Sequence, residues 1–169
     1  MRKKILVLSV MLFLICATVV ASGQWQTYKS AEGAFQLQFP NGSLDKRELV
    51  TDTPAGKVKT QMISFRNLTG NTVYTVTANA YPNSLEENSK AVLDGVIQGI
   101  KISDRIISEQ DVSLQGHAGK RIRYKQHPDW QEVEIAVFVV ENYLYMLTAD
   151  SSNKQEDINI FFDSFQILM

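Results

Sequence analysis

The chain has 169 residues, 44% of them hydrophobic and 21% charged, with 17 basic against 18 acidic side chains and a formal net charge of −1. That length suits one domain, and the charge balance gives no support for nucleic-acid binding. Cysteine occurs once, at Cys16.

The start reads as a targeting segment. Arg2, Lys3 and Lys4 form a positive flank, and residues 5–20 are apolar apart from Ser9 and Thr18. Val20-Ala21-Ser22 and Ala21-Ser22-Gly23 both offer the small residues that signal peptidase requires. Residues 1–22 are therefore expected to be a secretory signal peptide, and residues 23–169 a single domain exported to the periplasm or beyond. The apolar run is at the short limit for a spanning helix. Ile15 before Cys16 does not suit lipoprotein processing, and no later stretch reaches membrane length.

Cleavage would take 17 basic residues to 14 against 18 acidic ones, a net charge of −4. It would also remove Cys16, leaving no disulfide, no thiol nucleophile and no cysteine metal site. A chain of that length buries about 68–70% of its unfolded surface, enough to fold without staples.

Strands come first. Residues 25–30 and 34–39 flank Ala31-Glu32-Gly33, a hairpin turn. Phe35, Leu37 and Phe39 alternate with Ala34, Gln36 and Gln38, a half-buried pattern that Pro40-Asn41-Gly42 stops. Residues 57–65 and 72–81 give two more strands, with a turn at Thr69-Gly70-Asn71.

Pro82-Asn83 then breaks the strand pattern. Ser84-Leu85-Glu86-Glu87 has the spacing of a capping box, with Ser84 as cap and Glu87 at the third helical position. Leu85, Val92, Leu93, Val96 and Ile100 follow at helical spacing. Gly95 and Gly99 form a G-x-x-x-G, read here as close packing on a sheet.

Strands resume at about 105–114, 119–126, 131–140 and 143–150. The four residues His127-Pro128-Asp129-Trp130 separate two alternating runs. Taken as a hairpin loop, they set Lys125 opposite Glu132 and Arg123 opposite Glu134 on one face. Tyr124 against Val133 and Ile122 against Ile135 fill the other. A slip of one residue would set charge against apolar groups. The basic run Lys120-Arg121-Arg123-Lys125 thus reads as a charge-paired sheet face. The next turn, Glu141-Asn142, pairs Val139 with Leu144 and Val137 with Met146 on one face. It pairs Phe138 with Tyr145 and Val140 with Tyr143 on the other. A sheet apolar on both faces needs cover on both, so helices are expected on each side of an antiparallel sheet.

The end supplies one of them. Ile158, Phe161, Phe162 and Phe165 recur at helical spacing. Asn153 is the expected cap, Glu156 and Asp157 put acid in the first turn, and Ile167 and Leu168 continue the packing as a short edge strand.

Candidate chemistry is sparse, and no catalytic, metal or cofactor-binding residues are assigned. His117, in a Gly116–Gly119 turn, and His127 stand ten residues apart with no metal spacing. Asp129 beside His127 would orient an imidazole, but no motif places a nucleophile. Glu86 and Glu87 fit a helix N-terminus, and Asp150-Ser151-Ser152-Asn153 a cap rather than a calcium loop. Trp130 is the foremost contact candidate, with His127 and Asp129 beside it; an aromatic at a loop tip serves as a partner anchor, unless it folds back onto the sheet edge.

The order of these signals resembles the PsbP-like family. The matching stretches are Trp25 and Tyr28 before GAFQLQFP at 33–40, LQGHAG at 114–119, ENYLYMLT at 141–148 and FFDSF at 161–165. The family takes its name from an extrinsic subunit of the photosynthetic oxygen-evolving complex. It shares its fold with a nuclear-import factor that binds Ran and with exported bacterial proteins of unknown function. The resemblance implies an α+β fold, an antiparallel β-sheet sandwiched between α-helices. It also implies a non-enzymatic extrinsic or accessory protein; taken with the leader and the missing catalytic set, the expected partner is a protein or envelope component. The alternatives are a small-ligand or metal carrier and, in a photosynthetic source, a photosystem II extrinsic subunit.

Overall fold

The computed structural model describes residues 25–67, 73–150 and 154–168. The expected signal peptide, the turn at 69–71 and the Asn153 cap lie outside the described residues. In chain order the elements are β1 (Trp25–Ser30), β2 (Phe35–Pro40), β3 (Gly42–Thr53), β4 (Gly56–Asn67), β5 (Val73–Ala80), α1 (Ser89–Ser103), β6 (Arg105–Leu114), β7 (His117–Gln126), β8 (Gln131–Val140), β9 (Tyr143–Asp150), α2 (Gln155–Asp163) and β10 (Gln166–Ile167). They form a small sheet, β1-β2-β10, and a large one, β3-β4-β5-β9-β8-β7-β6. Every pairing is antiparallel.

The hairpin registers expected from charge and apolar alternation are those observed. Lys125 faces Glu132, Arg123 faces Glu134, Tyr124 faces Val133 and Ile122 faces Ile135. Across the next turn Val139 faces Leu144, Val137 faces Met146, Phe138 faces Tyr145 and Val140 faces Tyr143. Every β8 residue from Val133 to Val140 is buried. Val133, Ile135, Val137 and Val139 pack in one cluster with Leu93 and Ile97 of α1. Ala136, Phe138 and Val140 pack in the other, with Ile158, Phe161 and Phe162 of α2 and with Phe35, Leu37 and Phe39 of β2. The structure is thus an antiparallel sheet with two helices. The second face, however, is covered jointly: α2 shares it with the small sheet.

The terminal phenylalanines lock that joint cover. The Phe161 ring lies 5.0 Å from Tyr74 and 5.6 Å from Phe39 between centroids. Phe165 lies 5.6 Å from Phe35 and 5.4 Å from Tyr145. Such pairs add about 0.5–1.5 kcal/mol each beyond their burial. Ile167 is the short strand expected: it pairs with Phe35 in β10, and the Leu168 N–H donates to the Ala34 carbonyl at 2.8 Å.

Four local expectations need correction. β3, where sequence places no element, pairs with β4 over its full length. Ser84 does not cap α1, which starts five residues later, after a 3-10 turn at Glu86–Asn88, with no side-chain cap. The chain there is first tied to the β8–β9 turn: Tyr81 N–H donates to the Asn142 carbonyl at 2.9 Å, and Leu85 N–H to Glu141 at 2.7 Å. Ser84 Oγ also donates to the Glu141 carbonyl, at 3.3 Å. Gly95 and Gly99 do not pack on the sheet. Both are exposed, and a methyl on either would meet nothing within 4 Å, because they lie on the helix side opposite Leu93 and Ile97. The fourth concerns His117, which already belongs to β7; the turn is Gln115-Gly116 alone, with φ of +49° and +93°, the primed geometry of two-residue hairpins.

The two sheets are strapped at one end. Buried Tyr145 donates its hydroxyl to the Gly33 carbonyl at 2.8 Å, and the Gly33 N–H donates to Ser30 Oγ at 2.9 Å. Ser30 Oγ also bonds Gln61. Gly33 has no room for a side chain: a Cβ would stand 2.5 Å from the Phe35 ring. Burial, and secondarily Tyr143 and Glu141, raise the Tyr145 phenol above its ordinary value. A raised folded-state pKa means that its stabilisation is complete below the unfolded value, near about 10, and is lost as pH rises past it. Tyr145→Phe is expected to lower stability by about 1 kcal/mol at neutral pH. It should also reduce the alkaline loss, so the wild-type and variant urea midpoints converge between neutral pH and about pH 11.

Candidate functional site

The β7–β8 hairpin ends in His127, Pro128, Asp129 and Trp130, all exposed. The loop is held from below: the His127 N–H donates to Asp104 Oδ1, just past α1, at 2.9 Å. The His127 ring meets the Trp130 ring edge-on, 5.6 Å between centroids. Trp130 has φ +54° and is 52% exposed. It does not fold back onto the sheet edge. A left-handed backbone at a tryptophan costs about 1–2 kcal/mol, and here it turns the indole outward. Asp129 makes no hydrogen bond or ion pair with another described residue, so it does not orient the His127 imidazole.

His117 and His127 share no site. They begin and follow β7, about 30 Å apart at strand rise. His117 is half-buried rather than exposed, with Nδ1 3.4 Å from Glu86 Oε1. Among the described residues no group of three or more His, Cys, Asp or Glu is placed to hold a metal ion.

The basic run is absorbed by structure, with one refinement. Lys125 reaches the facing Glu132 at 3.7 Å, but both arginines pair diagonally: Arg123 reaches Glu132 at 2.6 Å, and Arg121 pairs with Glu134. Diagonal neighbours come within reach of long side chains. The Arg123 hydrogen bonds hold the Glu132 carboxyl below its usual range. Arg121 also donates to Asn159 Oδ1 at 2.9 Å and lies 4.7 Å over the Phe162 ring. Buried Glu134 accepts from Gln155 at 3.3 Å. These charges dock α2 on the sheet. Lys120 bonds Glu109 at 3.0 Å and Asp111 at 2.7 Å.

A second feature has no counterpart in the sequence reading. A cleft of about 650 Å³ opens between the β1–β2 turn and the β3–β4 hairpin, within the size range of ligand pockets. Val50, Ala80 and Tyr143 supply apolar wall, and Lys57 and Lys59 the charge. Glu32 and Glu48 also line it, but Lys46 pairs with both, at 3.6 and 2.9 Å. Neither Lys57 nor Lys59 makes an ion pair with a described residue. The one signal available in sequence is the i, i+2 spacing of the two lysines, which puts them on one strand face; the other walls come from distant segments.

No family model and no curated protein matches the sequence. Among solved structures, the solution structure of cyanobacterial PsbP (CyanoP) from Synechocystis sp. PCC 6803 matches with a TM-score of 0.55 at 14% identity, over 88% of this chain and 95% of that one. The fold is PsbP-like. A Pseudomonas aeruginosa protein of unknown function matches with a TM-score of 0.39 at 12% identity, over 80% and 87% of the two chains. A Bacteroides thetaiotaomicron protein matches with a TM-score of 0.44 at 8% identity, over 85% of this chain and 48% of that one. A PsbP-like fold accounts for the two-faced sheet and for the strands that its sequence signals placed.

Proposed function

We propose that this chain is an exported, non-enzymatic accessory protein of the PsbP-like family, which binds a protein or envelope component through its β7–β8 tip. The observation that carries the reading is Trp130: a large aromatic held half out of the surface, on a loop braced by Asp104 and His127. Tryptophan is among the residues most often found to dominate interface energetics, and a braced loop loses little freedom on docking. The leader-like segment at 1–22 supports export. The fold does not carry photosystem binding with it.

A second reading, a small-ligand carrier, is favoured by the cleft. Two lysines with no ion-pair partner among the described residues, beside Tyr143 and Val50, suit an organic anion. A ligand of this kind should raise the melting temperature of the wild type and not of Lys57→Gln/Lys59→Gln.

The first reading predicts that cross-linking in the exported fraction yields one stoichiometric complex, with cross-links mapping to the 127–130 loop. Trp130→Ala should weaken it roughly 30-fold or more, the loss of a hot-spot residue at about 2 kcal/mol, with the melting temperature unchanged. A complex that tolerates Trp130→Ala, or one mapped to another face, contradicts it.

A further inference from the structure

β3 is one of the two outer strands of the large sheet, twelve residues long and exposed apart from Thr53. Natural edges are blunted by bulges, prolines, charged side chains or cover; the four central charges of β3 are paired with one another, Lys46 with Glu48 and Arg47 with Asp45. β3 shows no register shift against β4 and no proline within its span. It leaves Leu44, Leu49 and Val50 at 47%, 62% and 58% exposure.

The two-residue turn Pro54-Ala55 decides which backbone groups are free. Thr53 pairs with Gly56, and the pair that closes a two-residue hairpin is hydrogen-bonded. Odd-numbered residues of β3 therefore turn their amides to β4. Even-numbered ones, Leu44, Lys46, Glu48 and Val50 among them, present N–H and C=O to the open edge. A second strand can join only in a register that pairs even residues with even ones.

Those four residues complement themselves in reverse: the apolar ends meet apolar ends, and the basic residue meets the acidic one. We infer that β3 pairs antiparallel with β3 of a second copy of this chain, about a two-fold axis at Arg47. Leu44 then meets Val50 of the other copy, and Lys46 meets Glu48, each twice. Lys46 and Glu48 already pair within one copy at 2.9 Å, so the joined edges carry a row of four alternating charges. On the other face the two Arg47 side chains meet at the axis, each neutralised by its own Asp45 at 2.9 Å. Centring the pair at Lys46 or at Glu48 would set like charges opposite on the row itself.

The test uses the full chain with Cys16→Ser, which removes the sole thiol. Sedimentation equilibrium should show a monomer–dimer equilibrium in the micromolar range. Glu48→Pro removes one outward N–H and leaves the β3–β4 ladder intact; it should give a monomer with an unchanged melting temperature. Arg47→Cys should form a disulfide-linked dimer on mild oxidation, because residues facing across a non-hydrogen-bonded pair lie about 4.5 Å apart between Cα atoms. Thr51→Cys should not. A wild type monomeric at every concentration, a dimer that survives Glu48→Pro, or equal cross-linking at residues 47 and 51 overturns the inference. Binding of a different protein to the β3 edge in its place does so too.

Discussion

Strands β8 and β9 carry apolar side chains on both faces, and a sheet of that kind cannot stand with either face in water. Burying a valine or phenylalanine side chain stabilises by about 1.5–3 kcal/mol relative to leaving it exposed, and β8 alone buries eight consecutive residues. Each face must find cover. Leu93 and Ile97 bring α1 to one side. The other side is wider and takes two pieces: α2, and the β1–β2 hairpin that pairs with β10.

The second cover joins the ends of the described chain. β2 comes from its start and β10 from its end, and Gln36 and Phe35 pair with Gln166 and Ile167. Phe161 and Phe165 sit between β2 and the large sheet. Polar groups fix the fit: Tyr145 on Gly33, Arg121 on Asn159, Gln155 on Glu134. The phenylalanines at the chain end are thus part of the core, which is why the end is ordered into a helix and a strand. Exposed Trp130 lies at the sheet's rim in the β7–β8 tip, and exposed Leu49 and Val50 lie on the β3–β4 hairpin.

How much of this was legible in the sequence depended on burial. β7, β8 and β9 could be placed in register because alternating charges and apolar groups admit one pairing without conflict, and Lys125 opposite Glu132 was part of it. α2 was legible from the spacing of its phenylalanines. β3 was invisible for the converse reason: with neither face buried it has no period-two hydrophobic signal. Gly95 and Gly99 misled because a small-residue spacing does not say which side of a helix faces the sheet. Ser84 misled because the chain there is tied to the β8–β9 turn before any helix begins. At the candidate site, Trp130 could be picked out as an aromatic in a polar loop. Its outward direction, set by a positive φ and the Asp104 bond, could not. The cleft joins segments from Glu32 to Tyr143 and left only two spaced lysines to read.

The central claim is that the second sheet face depends on the chain's last ten residues. Deleting residues 160–169 removes Phe161, Phe162, Phe165 and Ile167, all buried, and bares Phe35, Phe39, Tyr74 and Tyr145 in their place. Thermal unfolding of that truncation, followed by near-ultraviolet circular dichroism, tests the claim most directly. The account predicts no cooperative transition, with aggregation or the loss of fixed aromatic signals. A soluble truncation that melts cooperatively, with its aromatic signals intact, would contradict it.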